Sequence, residues 1–210
     1  MSTVRLRWLL IPAAAAAALA GYWLAQQLDR ETPVLASGTW LPQPKPIADF
    51  ELEDASGRPF TRARLASAPT LVYFGFTHCP DVCPTTLAKL AQVRRAAALP
   101  ALRVLFVSID PGRDTAEAVR RYAHAFDPAF EGVTGRPDQI AAVARNFAVA
   151  VNRVELPGGD YTMDHSAVIF LVAAGSIVAI FTPPFEVPAL VADLRRAGRY
   201  LGAGPGGHST

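Results

Sequence analysis

The sequence predicts one α/β domain, a βαβ half followed by a ββα half, with an N-terminal transmembrane anchor in front of it. Three observations predict this: two continuous apolar runs separated by a helical pattern, a later pair of apolar runs joined by a short Gly-containing connection, and eighteen uncharged residues near the N-terminus. The 210 residues are 51% hydrophobic and 18% charged, which suits a well-buried core and is too apolar for a disordered chain. A formal net charge of +2, carried almost entirely by scattered arginines, argues against nucleic acid as a partner.

The apolar segment comes first. From Trp8 to Ala25 no residue is charged, and as a helix this stretch is about 27 Å long, just enough to span a hydrocarbon core. Arg5 and Arg7 precede it, while Asp29, Arg30 and Glu31 nearly cancel behind it, so residues 1–7 are expected in the cytoplasm and the remainder outside. A cleaved signal peptide is the competing reading, because Ala18-Leu19-Ala20 resembles a cleavage site. The apolar run continues past that site through Tyr22 and Trp23, which favours an anchor over 8–25. Residues 26–46 carry Pro33, Pro42, Pro44 and Pro46 without a sustained period, so they are expected to form a stiff linker; an arm packed on the domain is the alternative. The domain is expected over 47–201, with a frayed tail over 202–210.

Within the domain, Leu71 to Phe76 has the apolar, aromatic and β-branched character of a central strand buried on both faces. Pro80 and Pro84 then fit only a helix's first turn, and Leu87, Leu90 and Val93 recur at helical spacing, so a helix starts near Cys79 or Pro80 and ends near Ala97. Arg103 to Ile109 is the second strand and completes a βαβ unit. Asp114 and Glu117 resemble a capping box for a helix whose apolar face is Val119, Tyr122, Ala123 and Phe126. Ile140, Val143, Ala144 and Phe147 mark another helix after Pro137. Ala167 to Ala173 and Ile177 to Thr182 read as an antiparallel hairpin, and a last helix runs from about Pro188 to Tyr200. This is the element order of a thioredoxin-like fold.

The only two cysteines, Cys79 and Cys83, stand four apart where the first strand meets its helix. So short a loop makes a poor stability staple, which points to a functional pair. Outside the cytoplasm such a dithiol is a disulfide, a metal site or a redox couple. A helix N-terminus favours thiolate, the form that both ligates metal and attacks disulfides. His165 precedes the strand at 167; if that strand is antiparallel to the one ending at Phe76, its start lies beside the cysteines. Two thiolates and one imidazole form a soft set suited to Cu(I) and, with a weak added ligand, Cu(II), whereas zinc usually takes a fourth ligand. Asp164 is a candidate to orient the imidazole. His78, His124 and His208 are weaker candidates, and Asp110 and Asp114 read better as turn and cap residues.

Phe74-Gly-Phe-Thr-His-Cys79-Pro-Asp-Val-Cys83-Pro-Thr-Thr-Leu87, Ser108-Ile-Asp-Pro-Gly-Arg-Asp114 and Tyr161-Thr-Met-Asp-His165-Ser resemble the Sco/SenC family of copper-binding, thioredoxin-like proteins. The resemblance implies copper held by Cys79, Cys83 and His165, and a part in assembling the dinuclear copper centre of cytochrome oxidase by delivering copper, by reducing the client's cysteines, or both. It further implies a copper-accepting oxidase subunit as partner and a single-pass place in the inner membrane with the domain in the periplasm. Thiol–disulfide reduction through Cys79 and Cys83 is the enzymatic alternative, although dedicated dithiol enzymes of this fold use C-x-x-C. A peroxiredoxin-like activity fits worse, since Thr77 stands two rather than three residues before Cys79.

Overall fold

The computed structural model describes residues 16, 18–23 and 32–201. The chain divides into two compact units, Met1–Thr32 and Pro33–Thr210. In the first, residues 16 and 18–23 are helical, with Leu19 and Trp23 exposed. The expected cytoplasmic segment 1–7, much of the expected anchor 8–25 and the tail 202–210 lie outside the described residues. Among the described residues no helix is long and apolar enough to cross a membrane.

The second unit holds strands β1 (Gly38–Pro46), β2 (Glu51–Asp54), β3 (Pro59–Thr61), β4 (Thr70–Gly75), β5 (Arg103–Ser108), β6 (Glu131–Thr134), β7 (Val151–Glu155), β8 (Tyr161–His165), β9 (Ile169–Ala173) and β10 (Ser176–Phe181). Its helices are α1 (Arg62–Ala66), α2 (Val82–Ala97), α3 (Ala116–His124), α4 (Pro137–Phe147) and α5 (Val187–Leu201). One eight-stranded sheet runs β1-β10-β9-β4-β5-β6-β2-β3, and β7 and β8 form a separate two-stranded ribbon. The fold is the mixed α/β arrangement expected, with β4 parallel to β5 and antiparallel to β9.

β4 is apolar without alternation because helices cover both of its faces, and all six of its residues are buried. Alternate side chains go to opposite sides. Tyr73 stacks with Phe106 at 6.3 Å between ring centroids, on the side where Tyr122 of α3 and Cys83 of α2 also pack. Phe74 meets Phe147 of α4 at 5.1 Å on the other side, where Phe170 completes a three-ring cluster. The turn between β9 and β10 is two residues long, and Ala174 and Gly175 both have positive φ, the type I′ geometry that suits strand twist.

Two expectations need correction. The proline-rich stretch expected to be linker as far as residue 46 is β1 from Gly38, paired antiparallel with β10. Its prolines are tolerated because β1 is the edge of the sheet, where a missing N–H breaks no ladder bond, and its pairing is irregular between Trp40 and Lys45. The packed-arm alternative therefore describes residues 38–46. Just ahead of it, the fully buried Asp193 of α5 accepts hydrogen bonds from the amides of Ala36 (2.8 Å) and Ser37 (2.7 Å) and from the Ser37 hydroxyl (2.7 Å). Second, the helix expected to be capped by Asp114 is capped by Thr115, whose side chain accepts from the Ala118 amide. Asp114 is buried and turned to another task.

Asp193→Ala strands two backbone amides beneath α5 and is expected to cost about 2 kcal/mol of unfolding free energy. Urea denaturation of the variant beside wild type measures this, and an unchanged midpoint would show that the segment entering β1 is not held by Asp193.

Candidate metal and thiol site

The site is assembled where β4 ends. After Gly75 the chain leaves the sheet, the Cys79 amide donates to the Phe76 carbonyl at 3.3 Å, and α2 begins at Val82. Cys79 is thus in the turn before the helix and Cys83 in its first turn, rather than both on the helix. Asp81 at the N-cap makes no side-chain cap bond, and the Cys83 amide donates to the Cys79 sulfur at 3.4 Å. One of the orphan amides of a helix N-terminus therefore points at a sulfur. Both cysteines are unbonded thiols, Cys79 partly exposed and Cys83 buried.

Cys83 fits because residue 75 has no side chain. A Cβ on Gly75 would lie 2.8 Å from the Cys83 sulfur and 2.8 Å from the Phe106 ring. Burial pushes the Cys83 thiol up to about 12; hydrogen bonding to the Cys79 sulfur adds to this, and the Tyr73 hydroxyl, donating at 3.8 Å, opposes it.

His165 is the last residue of β8, and the following sheet strand begins only at Ile169. The topological expectation holds: β9 is antiparallel to β4, with Tyr73 opposite Ile169, so the start of β9 lies where the cysteines emerge. The carrier is nevertheless the β7–β8 ribbon, in which His165 pairs with Val151. Its Nε2 lies 3.8 Å from the Cys83 sulfur, and its ring meets Tyr73 and Phe76 edge-on at 6.3 and 6.2 Å. Burial holds the imidazole below its ordinary value, so it is neutral at pH 7. Nδ1 is 3.2 Å from the Ser166 carbonyl, an acceptor, so Nδ1 carries the proton and the Nε2 lone pair faces the sulfur. That carbonyl does the orienting expected of Asp164, which lies on the exposed side of β8.

Cys79, Cys83 and His165 thus share one end of the sheet. Among the described residues no three His, Cys, Asp or Glu side chains already stand close enough to hold an ion, so a metal would draw these donors inward. The set is soft and fits a thiophilic ion. It is also arranged for thiol exchange, with an accessible sulfur beside a buried one. His78 turns to the Thr77 hydroxyl (3.1 Å) and Asp114 (3.5 Å), away from this constellation, and His124 lies against Arg120.

Asp110 and Asp114, expected as turn and cap residues, are buried structural parts of the site. Asp114 accepts from the Thr77 amide (2.9 Å), the Thr77 hydroxyl (2.5 Å) and the Ser108 hydroxyl (2.6 Å), fixing the turn that carries Cys79. Asp110 accepts from the Tyr161 hydroxyl at 2.8 Å and from Arg113 at 2.6 Å. Tyr161 and Arg113 were not singled out by sequence reasoning; the available signal was the Tyr161 that opens the same short motif as His165.

The SCO1/SenC family model matches residues 41–199. A mitochondrial SCO2 homolog of Bos taurus is 38% identical over 172 residues, which cover 79% of this chain and 65% of that protein, so the chain spans about two thirds of that relative's length. The crystal structure of Arabidopsis thaliana ScoI with copper bound is similar at a TM-score of 0.70 and 34% identity, covering 73% of this chain and 98% of that one. Bradyrhizobium japonicum ScoI with copper bound is similar at 0.65 and 40%, covering 71% and 98%.

Gly75→Ala is expected to force the Cys83 sulfur and Phe106 apart at a cost of about 1–3 kcal/mol, read from urea denaturation of the reduced protein. The pH dependence follows from Cys83, whose folded value is raised from 9.0 to about 12. Its proton is held more tightly in the folded chain, so the stability is fully present below pH 9 and falls as pH rises from about 9 towards 12. Unfolding curves between pH 8 and 11 should decline more steeply for wild type than for Cys83→Ala; parallel curves would contradict the assignment.

Proposed function

The chain belongs to the SCO1/SenC family, and from that premise we propose that it is a membrane-tethered metallochaperone that carries one copper ion on Cys79, Cys83 and His165 for assembly of the copper centre of a cytochrome c oxidase. The observation that carries this reading is the approach of the His165 Nε2 lone pair to the Cys83 sulfur, 82 residues away in sequence, beside Cys79. Copper is the cargo. Cys79, partly exposed, is the point of entry and of hand-over; Cys83 and His165 hold the ion from beneath. The copper-bound relatives from Arabidopsis thaliana and Bradyrhizobium japonicum support the cargo, and the family resemblance supports the oxidase subunit as acceptor.

Binding requires thiolates, so the Cys83 proton must leave as copper enters, and affinity should rise with pH. His165, already neutral, needs no such step. The imidazole completes a soft set around a monovalent ion that two sulfurs alone would leave open to exchange.

Residues 8–25 serve as the anchor in this reading, supported by their uncharged length and by the exposed Leu19 and Trp23. Residues 1–7 are cytoplasmic, a short linker follows, and the domain begins near Pro33 outside the cytoplasm, in the periplasm of a cell with an inner membrane.

Reduction of the client's cysteines is a second reading, favoured by the pairing of an accessible Cys79 with a buried Cys83. Cys79 would attack the client disulfide and Cys83 would then displace the reduced client, leaving a Cys79–Cys83 disulfide that can no longer hold copper. Redox state therefore gates the carrier function.

The reduced protein should retain one equivalent of copper, with a thiolate-to-copper absorption band when loaded with Cu(II). Cys79→Ala and Cys83→Ala should each abolish retention, and His165→Ala should weaken it by at least about tenfold with the fold intact. Full retention in His165→Ala would remove that residue from the site, and tight binding by the disulfide form would contradict the gate.

A further inference from the structure

We propose that Tyr161 and Arg113 form a latch that sets where His165 stands, and that the loop from Asp110 to Asp114 registers the two halves of the site against each other. This deepens the proposed function and rests on it only for the consequence to copper.

The β7–β8 ribbon pairs with no strand of the eight-stranded sheet, so no backbone ladder fixes it to the domain. Four of the five residues of β7 are exposed. Side chains alternate along a strand, so Tyr161, Met163 and His165 share one face of β8, and about 13 Å of extended chain joins the first to the last. Met163 and Val151 pack on the core near the His165 end. The other end is held by Tyr161.

Its ring has the guanidinium carbons of Arg113 and Arg153 each 3.7 Å from its centroid, which requires one on each face. Its hydroxyl donates to Asp110 at 2.8 Å, and Arg113 donates to the Tyr161 carbonyl at 2.9 Å and pairs with Asp160 at 3.2 Å. Arg113 Nη2 is buried and has no hydrogen-bond partner among the described residues, and the guanidinium carbon's close approach to the Tyr161 ring places a cation–π contact beside it. Arg153 belongs to the ribbon itself, whereas Arg113 and Asp110 belong to the loop after β5. The latch therefore joins the ribbon to the domain.

The same loop ends at Asp114, which grips Thr77 two residues before Cys79. One short loop thus touches the cysteine turn through its last residue and the histidine ribbon through Asp110 and Arg113. Release of Tyr161 frees the far end of the ribbon to swing about Val151 and Met163, and because Val151 lies opposite His165 that swing turns the imidazole relative to Cys83 while leaving the cysteine turn in place. Arg113 and Tyr161 are positioning residues in this scheme; neither reaches the sulfurs.

The test uses the full chain, reduced, in detergent micelles, with carbon-13-labelled histidine. The His165 ring signals, assigned by their loss in His165→Ala, are displaced by the neighbouring Tyr73 and Phe76 rings. In Tyr161→Ala and Arg113→Met they should move towards the positions of an exposed imidazole, with Tyr161→Phe, which keeps the stack and loses only the hydroxyl, in between. Loss of copper(I) to a chelator should speed up by about tenfold in the first two variants. Should Tyr161→Ala fail to fold, Tyr161→Phe and Arg113→Lys read the same signals. Unmoved imidazole signals in every folded variant overturn the latch, whatever copper does. Moved signals with unchanged copper loss uphold the latch and instead remove His165 from the copper site.

Discussion

The two-sided burial of β4, between parallel β5 and antiparallel β9, is the constraint on which the site depends. A strand covered on both faces cannot shift by one residue without driving Tyr73 and Phe74 into each other's layers. Its C-terminal end is therefore fixed, and so is the point where the cysteine turn leaves the sheet. The antiparallel β9 begins at that same end, so the segment before it must arrive beside the cysteines. Convergence of residues 82 positions apart is a consequence of strand direction.

On that frame the local chemistry is economical. The absence of a side chain at residue 75 makes room for the Cys83 sulfur, and the helix start turns an amide towards the Cys79 sulfur. The two thiols differ in access although they are four residues apart: one is buried under an aromatic wall and the other sits in an open turn. Such asymmetry suits both hand-over of a metal ion and exchange with an external disulfide, and the two uses exclude each other at any instant because a disulfide sulfur is a poor ligand.

The imidazole is supplied from outside the sheet. A ribbon with its own two-strand ladder presents His165, and its attachment relies on side chains rather than backbone pairing. Attachments of this kind open at lower free energy than sheet ladders. For the carrier role proposed above that difference is useful, since a cargo must be held firmly and also surrendered, and the ribbon that presents His165 is the natural place for release to begin.

Much of this was legible in the sequence. The apolar runs of β4, β5, β9 and β10 and the periodicities of α2, α3, α4 and α5 marked the core, and Cys79, Cys83 and His165 followed from the cysteine spacing, element order and motif. β1 was hidden because three prolines read as linker, a reading that fails only when the strand lies at an edge. β2, β3 and β6 are three or four residues long, too short for a period to show. The roles of Asp110, Asp114, Arg113 and Tyr161 were not legible, because each depends on partners 6 to 51 positions away. Local sequence determines which residues prefer helix, strand or turn and which chemistries are on offer. Only the tertiary structure decided which buried carboxylate meets which hydroxyl, since that follows from the packing of distant segments, on which periodicity and spacing carry no information.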